Sequence, residues 1–92
     1  MNQPNILLVI TDQQSNRALS CADNPHLHTP HIDALAAAGV RFEQAYCAAP
    51  VCGPSRSSLV TGRLPHENGV LVNGLAPDAT IPNLGELFAR AG

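Results

Sequence analysis

The stretch Cys52-Gly53-Pro54-Ser55-Arg56 runs on through Ser57-Ser58-Leu59-Val60 to Thr61-Gly62-Arg63, setting a thiol beside a helix start and a guanidinium one turn behind it. Pro54 has a fixed φ suited to an opening helical position and lacks an N–H that would go unpaired there. The spacing predicts a helix over 54–61, stopped by Gly62, with Cys52 just outside it. Backbone N–H groups near 54–57 are then expected to point back toward the thiol. An oxyanion beside Cys52 would meet amide donors, a helix dipole and the Arg56 fork together. The pattern suits a negatively charged tetrahedral group.

The elements that must position this site alternate between strand-like and helix-like patterns. Residues 5–11 form a continuous apolar run, as expected of a strand buried on both faces of a parallel sheet. Its carboxyl end would deliver Asp12 and Gln13, and ligands of open α/β sheets bind at that end. Residues 15–28 have no periodicity and read as a long loop with at most a short helix. Thr29 and Pro30 open a helix whose Ile32, Leu35 and Ala36 share one face, and Gly39 ends it. Residues 40–46 suit a second strand. Residues 64–79 hold Asn68-Gly69, Asn73-Gly74 and Pro77-Asp78, all turn signals. Thr80 is the expected cap of a last helix that buries Ile81, Leu84, Leu87 and Phe88. Such an order predicts an α/β architecture with a parallel or mixed central sheet.

The string from Cys52 to Arg63 resembles the signature of the sulfatase family: Cys or Ser, any residue, Pro, a small residue, Arg, then a short run to Thr-Gly-Arg. The resemblance extends from Pro4-Asn5-Ile6-Leu7-Leu8-Val9-Ile10-Thr11-Asp12-Gln13-Gln14 through Thr29-Pro30-His31-Ile32-Asp33-Ala34-Leu35. It implies the N-terminal part of an alkaline-phosphatase-like α/β sandwich, with a mostly parallel central sheet flanked by helices. Family domains are several times longer, so residues 1–92 are expected to be an incomplete portion, inactive alone.

The same resemblance implies that a maturation enzyme oxidises Cys52 to Cα-formylglycine, acting on the extended, unfolded segment. The hydrated aldehyde is a gem-diol: one hydroxyl attacks sulfur, and the other lets the adduct collapse with release of inorganic sulfate. Metal ligation is implied at Asp12, more weakly at Gln13, and at residue 52 itself. Calcium is the preferred ion, with magnesium or manganese also suited to oxygen ligands. Arg56 is the implied stabiliser of hydrate or sulfate; the blander reading is a solvated helix residue. Asn73 is read two ways, as a substrate donor by resemblance or as an Asn-Gly turn. Arg63 reads as structural, pairing with an acid or with helix carbonyls. The implied substrate is a small sulfate ester or a sulfated sugar.

Composition bounds the alternatives. The net charge is −2 and all five basic residues are scattered arginines, which argues against a nucleic-acid partner. No segment has membrane-spanning length, and no leader pattern opens the chain, which therefore reads as cytoplasmic, or as periplasmic or secreted if its start is processed. Cys21 and Cys47 read as small, half-buried hydrophobes rather than disulfide partners. A metal-binding structural module would draw on Cys21, His26, His28, His31, Cys47 and Cys52, but their spacing gives no paired zinc-ligand motif. A phosphonate monoester or phosphodiester hydrolase with the same site remains open, since a phosphoryl group also surrounds its centre with charged oxygens.

Overall fold

The structure, a computed structural model, describes residues 4–92. It divides into two compact units, one running to Glu43 and the other spanning Gln44–Gly92.

In the first unit, α1 covers Pro30–Ala38, with Pro30 in its first turn and Gly39 at its end, as the sequence predicts. Gly39 N–H donates to the Leu35 carbonyl at 3.0 Å. The loop before α1 holds one 3-10 turn, Ser20–Ala22, packed on α1. Thr29 precedes the helix but does not cap it with its hydroxyl. That hydroxyl donates instead to Asp33 Oδ1 at 2.9 Å. Ser20 Oγ donates to Asp33 Oδ2 at 2.6 Å and accepts the Thr29 N–H at 2.9 Å, while the Cys21 N–H reaches Asp33 Oδ1 at 3.0 Å. Asp33 therefore fastens the 3-10 turn to the helix. The Ser20 hydroxyl, followed by its other donors, holds the Asp33 carboxyl below the usual aspartate range. Partial burial, then the neighbouring Asp33, pushes the Cys21 thiol up.

The two expected strands do not form. Among the described residues there is no β-strand, so the structure does not display the expected central sheet. Residues 4–11 carry no regular structure, and Leu7 is 88% exposed with Ile6, Leu8, Val9 and Ile10 also open to solvent. Residues 40–46 are similar; Phe42 and Tyr46 are exposed, and Arg41 pairs with Glu43 at 3.1 Å on the surface. An apolar run becomes a strand only when a neighbour takes its backbone N–H and C=O groups. No described segment supplies that ladder.

The second unit contains α2 (Cys52–Thr61), α3 (Pro65–Asn68) and α4 (Leu84–Ala91). Helix α2 packs on α3 and touches α4. Its stop is as predicted: Gly62 takes φ +66° and its N–H donates to the Ser58 carbonyl at 2.9 Å. Helix α3 lay in a region read only as turns. Pro65 opens it, Glu67 accepts the Leu64 N–H at 2.9 Å, and Gly69 closes it at φ +82°. Arg63 faces Glu67 at 4.0 Å, the acidic partner expected of it.

Helix α4 starts three residues later than predicted. Asn83 is its cap, accepting the Glu86 N–H at 3.1 Å while Glu86 accepts the Asn83 N–H at 3.3 Å. Thr80 belongs to the preceding turn, donating its N–H and its hydroxyl to Asp78 Oδ1 at 2.9 and 2.7 Å. Those donors, the amide first, lower the Asp78 carboxyl. The expected buried face of α4 is largely open: Leu84, Leu87 and Phe88 are exposed.

Buried positions in this unit are few. Val70 is 2% exposed, Asn68 is fully buried, and Pro54 and Ser57 are buried within α2. Among the described residues no helix is long and apolar enough to cross a membrane.

Candidate active site

The helix begins two residues earlier than the sequence suggested, so the predicted nucleophile lies inside it. Val51 is the extended cap (φ −127°, ψ 136°), Cys52 is the first helical residue, and Pro54 is the third. The Ser55 N–H already donates to the Val51 carbonyl at 3.0 Å, so the amides from 55 onward are not available to a ligand. Pro54 has no N–H to give. The helix-start donors are therefore those of Cys52 and Gly53, not those near 54–57, and the Gly53 N–H is given to Asn73 Oδ1. The positive end of the helix dipole still falls at Cys52.

Asn73 is the residue that completes this end. Gly74, at φ +91°, turns the chain directly after it. Asn73 Oδ1 accepts the Gly53 N–H at 2.7 Å, and Nδ2 lies 3.2 Å from Cys52 Sγ. The thiol can also donate to Oδ1, at 3.4 Å. The amide orientation follows from the Gly53 donor, which requires an oxygen opposite it. Asn73 thus occupies the Asn-Gly turn, and its side chain reaches back to the start of α2.

Gly53 has a role its place in the motif did not reveal. A β-carbon there would stand 2.6 Å from Asn73 Oδ1 and 3.4 Å from Asn73 Cα. The bare backbone is what allows the amide to approach.

Cys52 and Arg56 are exposed. Their i, i+4 spacing places both on one face of α2. The Ser57 and Ser58 hydroxyls are buried without a hydrogen-bond partner among the described residues, while Thr61 Oγ1 donates to the Ser57 carbonyl at 2.7 Å.

Asp12 and Gln13 belong to the first unit, where both are exposed in a bend. Gln13 has φ +53°, an uncommon left-handed conformation for a residue with a β-carbon. A carboxylate and an amide carbonyl are oxygen donors of the type hard divalent cations take, and a calcium ion takes about six to eight such oxygens. Among the described residues no three His, Cys, Asp or Glu side chains gather to hold a metal. Cys21, Cys47 and Cys52 are free thiols. Cys47 is exposed, not half-buried as expected, with Sγ 3.0 Å from the Ala49 carbonyl.

Asn68, fully buried here, reads in the sequence only as half of an Asn-Gly turn. Pro65 at an N1 position, Glu67 two residues on and Gly69 as a stop are the signals that could have shown a helix ending there.

A thiol at a helix start, an amide at its sulfur and an arginine one turn behind therefore stand together at one end of α2. The sulfatase family profile matches residues 4–92. The chain is 41% identical over its full length to a protein described as uncharacterized sulfatase YidJ of Escherichia coli, of which it covers 18%. It is 40% identical over 90 residues to an ulvan-active sulfatase of Formosa agariphila, covering 98% of this chain and 18% of the relative. It is 33% identical over 90 residues to an N-acetylglucosamine-6-O-sulfatase of Bacteroides thetaiotaomicron, covering 98% of this chain and 16% of the relative. No solved structure matches the chain. The chain belongs to the sulfatase family, and it spans less than a fifth of the length of these relatives.

Proposed function

We propose that residues 1–92 are the nucleophile-bearing N-terminal portion of a sulfatase catalytic domain that hydrolyses sulfate esters to an alcohol and inorganic sulfate. The observation that carries this reading is the Asn73 amide, 3.2 Å from Cys52 Sγ and fixed by the Gly53 N–H at the positive end of α2. Family membership and the sulfatase relatives support the reaction class.

In this reading Asn73 donates from Nδ2 to an oxygen at or beside residue 52. Arg56 holds sulfate oxygens with a charge that persists at any working pH. The start of α2 stabilises negative charge as it builds on the transferring group. Oxidised to Cα-formylglycine by a maturation enzyme, residue 52 would supply a hydrated aldehyde as the nucleophile. Asp12 and Gln13 would hold part of the coordination sphere of calcium, or of magnesium or manganese, which would lower the pKa of the attacking hydroxyl. The substrate would be a small sulfate ester or a sulfated sugar.

The test uses the full-length protein co-produced with a formylglycine-generating enzyme. Mass spectrometry of the peptide spanning residues 45–56 is expected to show the aldehyde or its hydrate. Turnover of an aryl sulfate is expected to exceed that of an aryl phosphonate. An unmodified, catalytically competent thiol would remove the mechanism, and a preference for the phosphonate would reassign the substrate. The isolated 92-residue chain is expected to be inactive, and measurable turnover by it would overturn that expectation.

A further inference from the structure

Asn68 lies at the opposite end of α2 from Cys52, has no exposed surface, and makes five hydrogen bonds. Its Nδ2 donates to Thr61 Oγ1 at 3.3 Å and to the Arg63 carbonyl at 3.1 Å, gripping the end of α2. Its own N–H donates to the Leu64 carbonyl at 3.0 Å. Its remaining two acceptors face the other way. Oδ1 takes the Val70 N–H at 2.9 Å, and the backbone carbonyl takes the Asp78 N–H at 3.0 Å. One residue thus ties together both ends of the segment from 70 to 78.

The middle of that segment is Asn73, whose amide returns to Gly53 and Cys52 at the start of α2. The loop therefore grips the helix at both ends, through Asn68 at one and Asn73 at the other. Closing a loop at its base removes much of the conformational freedom of its tip. Side chains that must be held within a fraction of an ångström need such support from residues that never touch the reacting atoms.

We infer that Asn68 is a positioning residue for the sulfatase reaction, acting through the loop from 70 to 78 to hold the Asn73 amide against residue 52. Its effect is transmitted across the length of α2 and passes through Asn73 alone. The inference rests on the function proposed above, because it assigns Asn73 a task at that site. It also makes a structural claim independent of turnover.

The experiment is a double-mutant cycle in the matured full-length protein, with kcat and KM for an aryl sulfate normalised to formylglycine content. Asn68→Ala and Asn73→Ala are each expected to lower kcat by about ten- to a hundredfold, as loss of a hydrogen bond to a charged group does. The double variant is expected to fall within about threefold of Asn73→Ala, because coupled residues are not additive. Gly53→Ala, which pushes Asn73 away without touching Asn68, is expected to match Asn73→Ala in the same way. Effects of Asn68→Ala and Asn73→Ala that multiply in the double variant would overturn the inference, as would a wild-type kcat for Asn68→Ala.

Where Asn68→Ala does not fold, Asn68→Ser enters the same cycle. A crystal structure of that variant supplies the activity-independent readout. The Asn73 amide is expected to be displaced or disordered, and its retention against residue 52 and Gly53 would overturn the inference even if the enzyme hydrolysed another ester. A wild-type protein with no sulfate-ester turnover, by contrast, would sink only the functional reading.

Discussion

Both units fasten a loop to a helix through one polar side chain, but they use opposite chemistry. In the first unit the hub is Asp33, part-buried and charged, collecting only donors: two hydroxyls and an amide. In the second it is Asn68, fully buried and neutral, with donors and acceptors both in use. Burying an ionised group without a countercharge is costly, whereas a satisfied amide is tolerated. The depth of each hub thus selects its charge. The difference extends to the chemistry each unit carries. Cys52 and Asn73 are joined by a local scaffold of short contacts, whereas Asp12 and Gln13 follow an apolar run that no described segment pairs.

The contrast predicts that activity is most sensitive in the second unit. Cys52→Ala in the full-length protein is expected to lower kcat for an aryl sulfate by at least about a thousandfold, as loss of a catalytic nucleophile does. Turnover near the wild-type rate would break the comparison at once. Asn68→Asp changes almost no volume but puts a carboxylate against the Arg63 carbonyl in a fully buried position. An uncompensated buried charge of this kind costs about 3–5 kcal/mol, so the denaturant midpoint should fall sharply.

Asp12→Ala addresses the other unit. Because Asp12 is a proposed metal ligand, its loss is expected to raise the calcium concentration needed for half-maximal activity by about a hundredfold, at the upper end of what even outer partners of a metal ligand can cost. Gln13→Ala should have the smaller effect, since a carbonyl oxygen carries no charge. Asn83→Ala removes the α4 cap, with an expected loss of about 1 kcal/mol measurable by chemical denaturation.

Asp33→Asn sharpens the comparison between hubs through pH. The folded Asp33 carboxyl lies below the ordinary value of 3.8, so its contribution is complete above that value. It is lost as pH falls through the lowered folded value. The stability gap between wild type and Asp33→Asn is therefore expected at neutral pH and should close in acid, read as the difference in Tm across a pH series. A gap independent of pH would mean that the carboxylate charge contributes nothing to the hub.

Much of the local structure was legible because its causes are local. Pro30 with Gly39, and Gly62 after Thr61, marked helix ends through backbone constraints that act within a turn. The exact entry to α2 was less visible, because Pro54 fits the third helical position as readily as the first. Asn83 displaced Thr80 as a cap because Glu86 stands three residues behind it, completing a reciprocal box that Thr80 lacks. The sheet depends on a non-local condition: the apolar run at 5–11 signals that a neighbour is needed, and no described segment supplies one. Cys52, Asp12 and Arg56 stood out by residue type and spacing. Asn68 and Gly53 did not, since their importance lies in contacts made across the unit.

The bare α-carbon at Gly53 has an evolutionary consequence. In this chain a side chain gained at Gly53 has to be answered by a shift of the Asn73 amide, because its β-carbon would stand 2.6 Å from Oδ1. A relative with a bulkier residue there would then hold its amide, if it keeps one, by a different route.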